Sequence, residues 1–322
     1  MQTGEPYLHF IDTSNRMMPE FQKAKGLSIK QSNLCSEIIL PTSKTRTAVC
    51  CLSSVNLEYF EQWKDDPLFL KDIAEMLDNV LQYFIDKAPQ PIQRAKHSAL
   101  MERSIGIGAL GWHAYLQQNM IPWESAMAVG RNHKIFGHIS RGLDIANKEL
   151  GSARGEPPDA KGTGRRFSHM MAIAPNASSS IIMGNTSPSI EPYRANAYRQ
   201  DTLSGASLNK NKWLERVLSE KLSDEELAEV WSSIIANDGS VQHLTILSDW
   251  EKDVFKTSME IDQRWVIQHA SDRQQYIDQA QSLNLFFRPD CNVKYLHAVH
   301  FLAWKNGLKT LYYCRSEKIG KA

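Results

Sequence analysis

Two hydrophobic rhythms alternate along the chain. After Pro67, Leu70, Ile73, Leu77, Val80 and Phe84 recur at three- and four-residue spacing, the period of a helix with one buried face. Pro89 predicts its end. A second long helix carries Ile135, Ile139, Leu143, Ala146 and Leu150 on one face, with Gly151 as its C-terminal stop. Further helices are expected over 260–270 and 272–282, with charged, peripheral ones over 209–236. The last runs over 292–306, with Tyr295, Ala298, Leu302 and Trp304 partly lining one side and Gly307 ending it.

Between these helices, short apolar runs read as strands. Residues 4–12 form a turn leading into a short strand, 47–53 a buried strand carrying Cys50 and Cys51, and 308–314 a strand near the end of the chain. Residues 104–111 match Gly-x-Gly-x-x-Gly, but no acidic residue closes a second strand about 20 residues on, as a dinucleotide site requires. They are read instead as a glycine-rich strand running into a helix after Trp112. Residues 169–182 read as a buried strand, Pro175, and small polar residues whose free amides suit either an ordinary helix cap or an anion site. Residues 161–166 read as a solvated basic loop. Strands alternating with helices across short links favour an α/β architecture with substantially parallel strands.

Composition narrows the function. The 322 residues suffice for one large or two ordinary domains. A net charge of +1 gives no electrostatic reason to expect nucleic acid. No apolar run approaches a membrane span and no basic-then-apolar leader opens the sequence, so neither membrane nor export is expected, and the expected location is cytoplasmic. Five cysteines, odd in number and including the vicinal pair Cys50 and Cys51, do not make a secreted disulfide framework. His297 and His300 lack neighbouring ligands at zinc-site spacing, so no metal is expected on this chain.

The candidate chemistry lies in 31–38, where Asn33, Cys35 and Glu37 occupy alternate positions. Extended backbone would point all three to one side, presenting an amide, a nucleophilic or one-electron sulfur and a proton acceptor to one substrate. A half-buried strand with an inert cysteine would show the same local pattern.

The remaining motifs decide between these readings. Gln31-Ser32-Asn33-Leu34-Cys35-x-Glu37-Ile38, the cysteine strand before Leu52-Ser53, Pro175-x-Ala177-x-Ser179, Gly184-Asn185 through Ile190-Glu191-Pro192, and Lys309-Thr310-Leu311-Tyr312-Tyr313 occur in one order. Together they resemble the large catalytic subunit of class I ribonucleotide reductases, over about residues 4–313 and over only the C-terminal half of such a subunit. The resemblance implies that residues 1–322 are the C-terminal part of a ten-stranded α/β barrel. Its central finger loop would span about 28–42 and its radical-relay strand about 308–314.

By the same resemblance Cys35 would carry a thiyl radical, Glu37 would act as base and Asn33 would orient the sugar hydroxyls of a ribonucleoside diphosphate. Cys50 would be one of two reducing thiols. Asn176, Ala177, Ser178 and Ser179 would hold the substrate phosphates, and Tyr312 and Tyr313 would relay the radical, Tyr312 being nearer Cys35. No cofactor is expected on the chain itself; a metal-containing small subunit would supply the radical. The partner of Cys50 and the family's effector sites would lie in an N-terminal fragment of the large subunit. No cysteine follows Cys314, so re-reduction would involve another chain or a thioredoxin- or glutaredoxin-type reductant. Two other readings stand beside this one: a non-catalytic fragment that binds reductase subunits, and an adenosylcobalamin-type radical reductase on the same barrel.

Overall fold

The spacing that begins at Leu70 gives the helix Phe69–Lys87, which buries Leu70, Ala74, Leu77, Leu81 and Ile85. Val80, expected inside, is exposed, because the buried stripe passes through Leu81 instead. Ala88 turns extended before Pro89 and ends the helix. These coordinates come from a computed structural model that describes residues 4–202 and 205–316. Residues 1–3, 203–204 and 317–322 of the expected 1–322 domain lie outside the described residues.

The second long helix, Ala126–Arg154, runs past Gly151. A Cβ at Gly151 would run into the Gly164 carbonyl, so this glycine permits close approach, and the stop is Gly155 at φ 82°. The approaching loop is not simply solvated. Arg165 pairs with Asp144 at 3.0 Å, and Arg166 Nε lies 3.1 Å from the buried Asp78 carboxylate, which also binds Arg103 and Arg154.

Six of the eight described strands line up in one wall, and the other two form a separate hairpin. Strand β1 is Leu8–His9, β2 Cys51–Asn56, β3 Ile105–Leu110, β4 Ala197–Thr202, β5 Gly205–Lys210, β6 Leu285–Phe287, β7 Thr310–Leu311 and β8 Cys314–Ser316. β2 lies parallel to β3, from Cys51 opposite Ile105 to Asn56 opposite Leu110. Beyond β3 comes residue stretch 169–173: Ile105 N donates to His169 O at 3.0 Å and Ile107 N to Met170 O at 2.7 Å. Next come residues 279–287, joined by the parallel bridge between Ile173 and Gln281. β6 then pairs in parallel with β8, and β7 antiparallel with β1. The expected helix over 272–282 is therefore corrected. Gln263–Gln274 is helical, but Gln279, Gln281 and Ser282 are buried within the wall, where Gln279 Nε2 donates to Ile105 O, Gln281 Nε2 to Ala270 O and Ser282 Oγ lies against Glu37.

The glycines of β3 serve this packing. A Cβ on Gly106 would meet Ala172 Cβ and Cys50 Sγ at about 3 Å, and one on Gly108 would meet the Ala172 carbonyl at 2.6 Å. The backbone of 171–173 lies against β3 because nothing projects there.

Other boundaries also shift. The strand expected over 47–53 starts at Cys51, and the one over 308–314 breaks at Tyr312 and Tyr313, between β7 and β8. The expected helical span 209–236 contains Lys212–Ser219 and Asp224–Ala236, while 209–210 end the antiparallel β4–β5 hairpin. This region closes its own apolar cluster around Leu214, Leu218, Trp231, Ile234 and Phe255. On the last helix, Val293–Lys305, Val299 and Ala303 are buried, whereas Ala298 and Trp304 are exposed, one position off the expected stripe.

Candidate active site

The finger is closed at its base by Thr42 N donating to Ser28 O at 3.3 Å. The Asn15 amide clamps one arm, donating to Ile29 O and accepting from Ile29 N, each at 2.8 Å. Ile29 and Ile39 pack with Met18 and Ala280, so burial of an apolar residue on each arm fixes the loop.

The tip is not extended. Leu34 to Ser36 turn, with Ser36 at φ 71° and Ser36 N donating to Asn33 O at 3.2 Å. Asn33 Oδ1 accepts from Ile38 N at 3.0 Å and ties the two arms. Alternation therefore does not align Asn33, Cys35 and Glu37. A residue absent from the sequence reading organises the turn: Ser282 Oγ hydrogen-bonds the Cys35 carbonyl and lies 3.1 Å from Glu37 Oε2. Ala280 N also donates to Glu37 O at 2.9 Å. Glu37 is buried and Leu34 is strongly exposed at the tip.

The Cys35 sulfur accepts from the Tyr312 hydroxyl at 3.6 Å. Burial and this bond raise the Tyr312 phenol far above its ordinary range. Strand aromatics facing opposite ways would not touch, but here the rings of Tyr312 and Tyr313 lie 4.4 Å apart, centroid to centroid. The chain leaves the β7 pairing at this point. Tyr312 N donates to Leu283 O, and Tyr313 N to Asn284 Oδ1 at 3.0 Å. Tyr7 completes the cluster at 4.6 Å from Tyr312 and 4.9 Å from Tyr313. Its hydroxyl is pushed up to about 12, first by a hydrogen bond to Tyr313. The antiparallel pairing of β1 with β7 brings Tyr7 here; in the sequence only its place in a strand-like run hinted at a role.

Cys50 and Cys51 diverge. Cys51 packs against Leu81, Ile85 and Ala99 under the helices. Cys50 Sγ faces Gly106 and accepts from Gln279 Nε2 at 3.5 Å. Burial raises its thiol well above the ordinary value. Among the described residues no hydrogen bond joins Cys50 to Cys35.

Asn176, at φ 52°, precedes the short helix Ala177–Ile182 without capping it by its side chain. Its Nδ2 instead donates to Ser54 Oγ and Ala174 O, both at 3.0 Å. The first helical bond is Ser180 N to Asn176 O, so the amides of Ala177, Ser178 and Ser179 precede it, on an exposed turn. Ala177 also lines a cavity of about 520 Å³ with Tyr313, Arg315, Asn284 and Glu191. Burial pushes the Glu191 carboxyl up to about 8, and Asn284 Nδ2 donates to it at 2.5 Å. Among the described residues, no three His, Cys, Asp or Glu side chains could hold a metal, and no helix is long and apolar enough to cross a membrane.

This arrangement has known counterparts. A ribonucleoside-diphosphate reductase large subunit of Invertebrate iridescent virus 3 is 61% identical over 99% of the chain and 51% of the relative. A putative ribonucleoside-diphosphate reductase large subunit of Frog virus 3 is 49% identical over 98% and 56%. The chain thus spans about half the length of these curated relatives. Among solved structures, the Actinobacillus ureae class Id ribonucleotide reductase alpha subunit superposes with a TM-score of 0.92 at 43% identity, over 98% of this chain and 59% of that one. The wall and its finger are thus the C-terminal part of an α/β barrel, as the motif order implied. The family model for the ribonucleotide reductase barrel domain matches residues 1–160 and 157–314, and with relatives this similar along nearly its whole length the chain belongs to the ribonucleotide reductase barrel family.

Proposed function

We propose that the chain carries the catalytic face of a class I ribonucleotide reductase, converting ribonucleoside diphosphates to 2′-deoxyribonucleoside diphosphates. The observation that carries this reading is the contact of the Tyr312 hydroxyl with Cys35 Sγ at 3.6 Å, continued by the Tyr312–Tyr313 ring pair at 4.4 Å. A metal-containing small subunit supplies the oxidising equivalent. Tyr313 and Tyr312 pass it inward, and the Cys35 S–H bond breaks as the Tyr312 O–H bond forms. The Cys35 thiyl then takes the 3′ hydrogen of the ribose, while Glu37, held by Ser282, takes the 3′-hydroxyl proton. Among the described residues nothing accepts from Asn33 Nδ2, which leaves it for a sugar hydroxyl.

Loss of the 2′ hydroxyl as water leaves a centre that takes up two electrons and two protons. Cys50 and a second thiol supply them and become a disulfide, and Cys35 returns its hydrogen to C3′. The second thiol comes from a complementary N-terminal fragment of the large subunit, and the disulfide is re-reduced by a thioredoxin- or glutaredoxin-type protein. Exposed first-turn amides at Ala177, Ser178 and Ser179, set by Asn176, receive the diphosphate. The tyrosine–sulfur contact weighs against an adenosylcobalamin-type reductase, whose cofactor would need no tyrosine relay. The held carboxylate weighs against a non-catalytic fragment.

The test is Cys35→Ser in a complex with the N-terminal fragment and a class I small subunit, assayed with CDP and dithiothreitol. A serine O–H bond is too strong to carry the hydrogen, so dCDP formation is expected to vanish with CDP affinity nearly unchanged. Substantial turnover by the variant would overturn the reading.

A further inference from the structure

We infer that Gln279 is a positioning residue for the reducing thiol, aiming an amide hydrogen at Cys50 Sγ while the same amide carries the finger through Ile39. The inference rests on the reading of Cys50 as a reducing thiol. Gln279 is fully buried, and its side chain is used on every side. Nε2 donates to Ile105 O at 3.0 Å and to Cys50 Sγ at 3.5 Å, and Oε1 accepts from Ile39 N at 3.3 Å. A flipped amide would oppose oxygen to the Ile105 carbonyl and N–H to the Ile39 N–H, so the network fixes which atom faces the sulfur.

The backbone of Gln279 is equally constrained. Its N–H donates to Met171 O at 3.1 Å, and its carbonyl accepts from Lys309 Nζ at 2.8 Å and Gln274 Nε2 at 3.1 Å. Lys309 is buried and also donates to the Asp278 carbonyl at 2.6 Å. It lies three residues before Tyr312, so Gln279 is braced through its side chain by the finger and β3 and through its backbone carbonyl by the strand that leads to Tyr312.

The chemistry gives this amide a task. During reduction the Cys50 S–H bond breaks, a bond forms to the second thiol's sulfur, and two electrons and two protons pass to the substrate. Burial opposes negative charge on the Cys50 sulfur, and the Gln279 N–H offsets that opposition. Disulfide closure also needs a defined direction of approach, which a sulfur held by a fixed donor keeps. Cys51, packed under the helices, has no such donor among the described residues.

The test compares two quantities in one single-turnover experiment on the assembled, pre-reduced complex with CDP and no added reductant. CDP consumed reports the Cys35 step. dCDP formed reports reduction, the shortfall appearing as free cytosine released from an unreduced 3′-ketone. In Gln279→Met, of similar length but without donor or acceptor, dCDP per CDP consumed is expected to fall about tenfold while CDP consumption persists. A ratio equal to wild type overturns the proposal, whether or not consumption slows, because a merely structural loss lowers both quantities together. If the methionine variant yields no folded complex, Gln279→Glu carries the same comparison: it keeps the acceptor for Ile39 N and, protonated by burial, has a single O–H for the nearer Ile105 carbonyl in place of the amide's two donors, so the donor to sulfur is lost. Cys50→Ala is the control: normal dCDP from that variant would refute the assignment of Cys50, a failure distinct from that of Gln279.

Discussion

Cys35 differs from the chain's other cysteines in what its sulfur touches: a phenol hydroxyl that leads outward through a second and a third aromatic ring. The residue types at this site were legible in the sequence, because an amide, a thiol and a carboxylate so close together are chemically specific. Their geometry was not. Ser36 takes a positive φ that alternation does not foresee, and the groups that hold the turn, Ser282 and Ala280, lie far away in sequence within a stretch whose polar residues read as helical. Tyr7 escaped for a similar reason, since only strand pairing brings it to Tyr312 and Tyr313. Glu37 supports a direct prediction. As a base it should lose about two to four powers of ten in turnover as Glu37→Gln, measured in the assembled complex. Wild-type turnover by the amide variant would remove it from the proton-transfer step.

At the level of elements, helices were read more reliably than strands, because a three- and four-residue apolar period is local whereas a wall segment is defined by its neighbours. The 279–282 stretch shows the limit: its buried glutamines donate their amide hydrogens to carbonyls inside the protein, so no apolar run marks it as a strand. Lys161 to Arg166 shows the converse, a charged run that is structural. The Asp78 carboxylate, 1% exposed, meets Arg103 at 2.6 Å, Arg154 at 2.9 Å and Arg166 at 3.1 Å, and so ties both long helices to that loop. Asp78→Ala would leave buried guanidinium groups unpaired. It should cost about 3–5 kcal/mol of stability, read by denaturant unfolding. A loss under about 1 kcal/mol would mean that solvent already compensates these arginines.

For the whole molecule, two buried carboxyls set a dependence on pH. Burial pushes Glu102 and Glu191 from an ordinary 4.5 up to about 8. The folded chain keeps these protons to about pH 8, whereas the unfolded chain releases them near 4.5. Their stabilising contribution is therefore complete below about pH 4.5 and is lost as pH rises through 8. Glu102→Gln, which cannot ionise, should show a smaller drop in melting temperature between about pH 6 and 9 than the parent chain. Identical slopes would show that Glu102 is ionised in the folded chain.

The central claim is that oxidising equivalents reach Cys35 through Tyr312, and one measurement addresses it most directly. Tyr312→Phe keeps the ring and its contacts with Tyr7 and Tyr313 but removes the hydroxyl that touches the sulfur. In the complex with the N-terminal fragment and a class I small subunit, dCDP formation by this variant is predicted to fall to background while its melting temperature stays within a few degrees of wild type, since no buried volume is lost. A folded Tyr312→Phe complex that makes dCDP at the wild-type rate would contradict the account, because the radical would then reach Cys35 by a path that does not use this tyrosine.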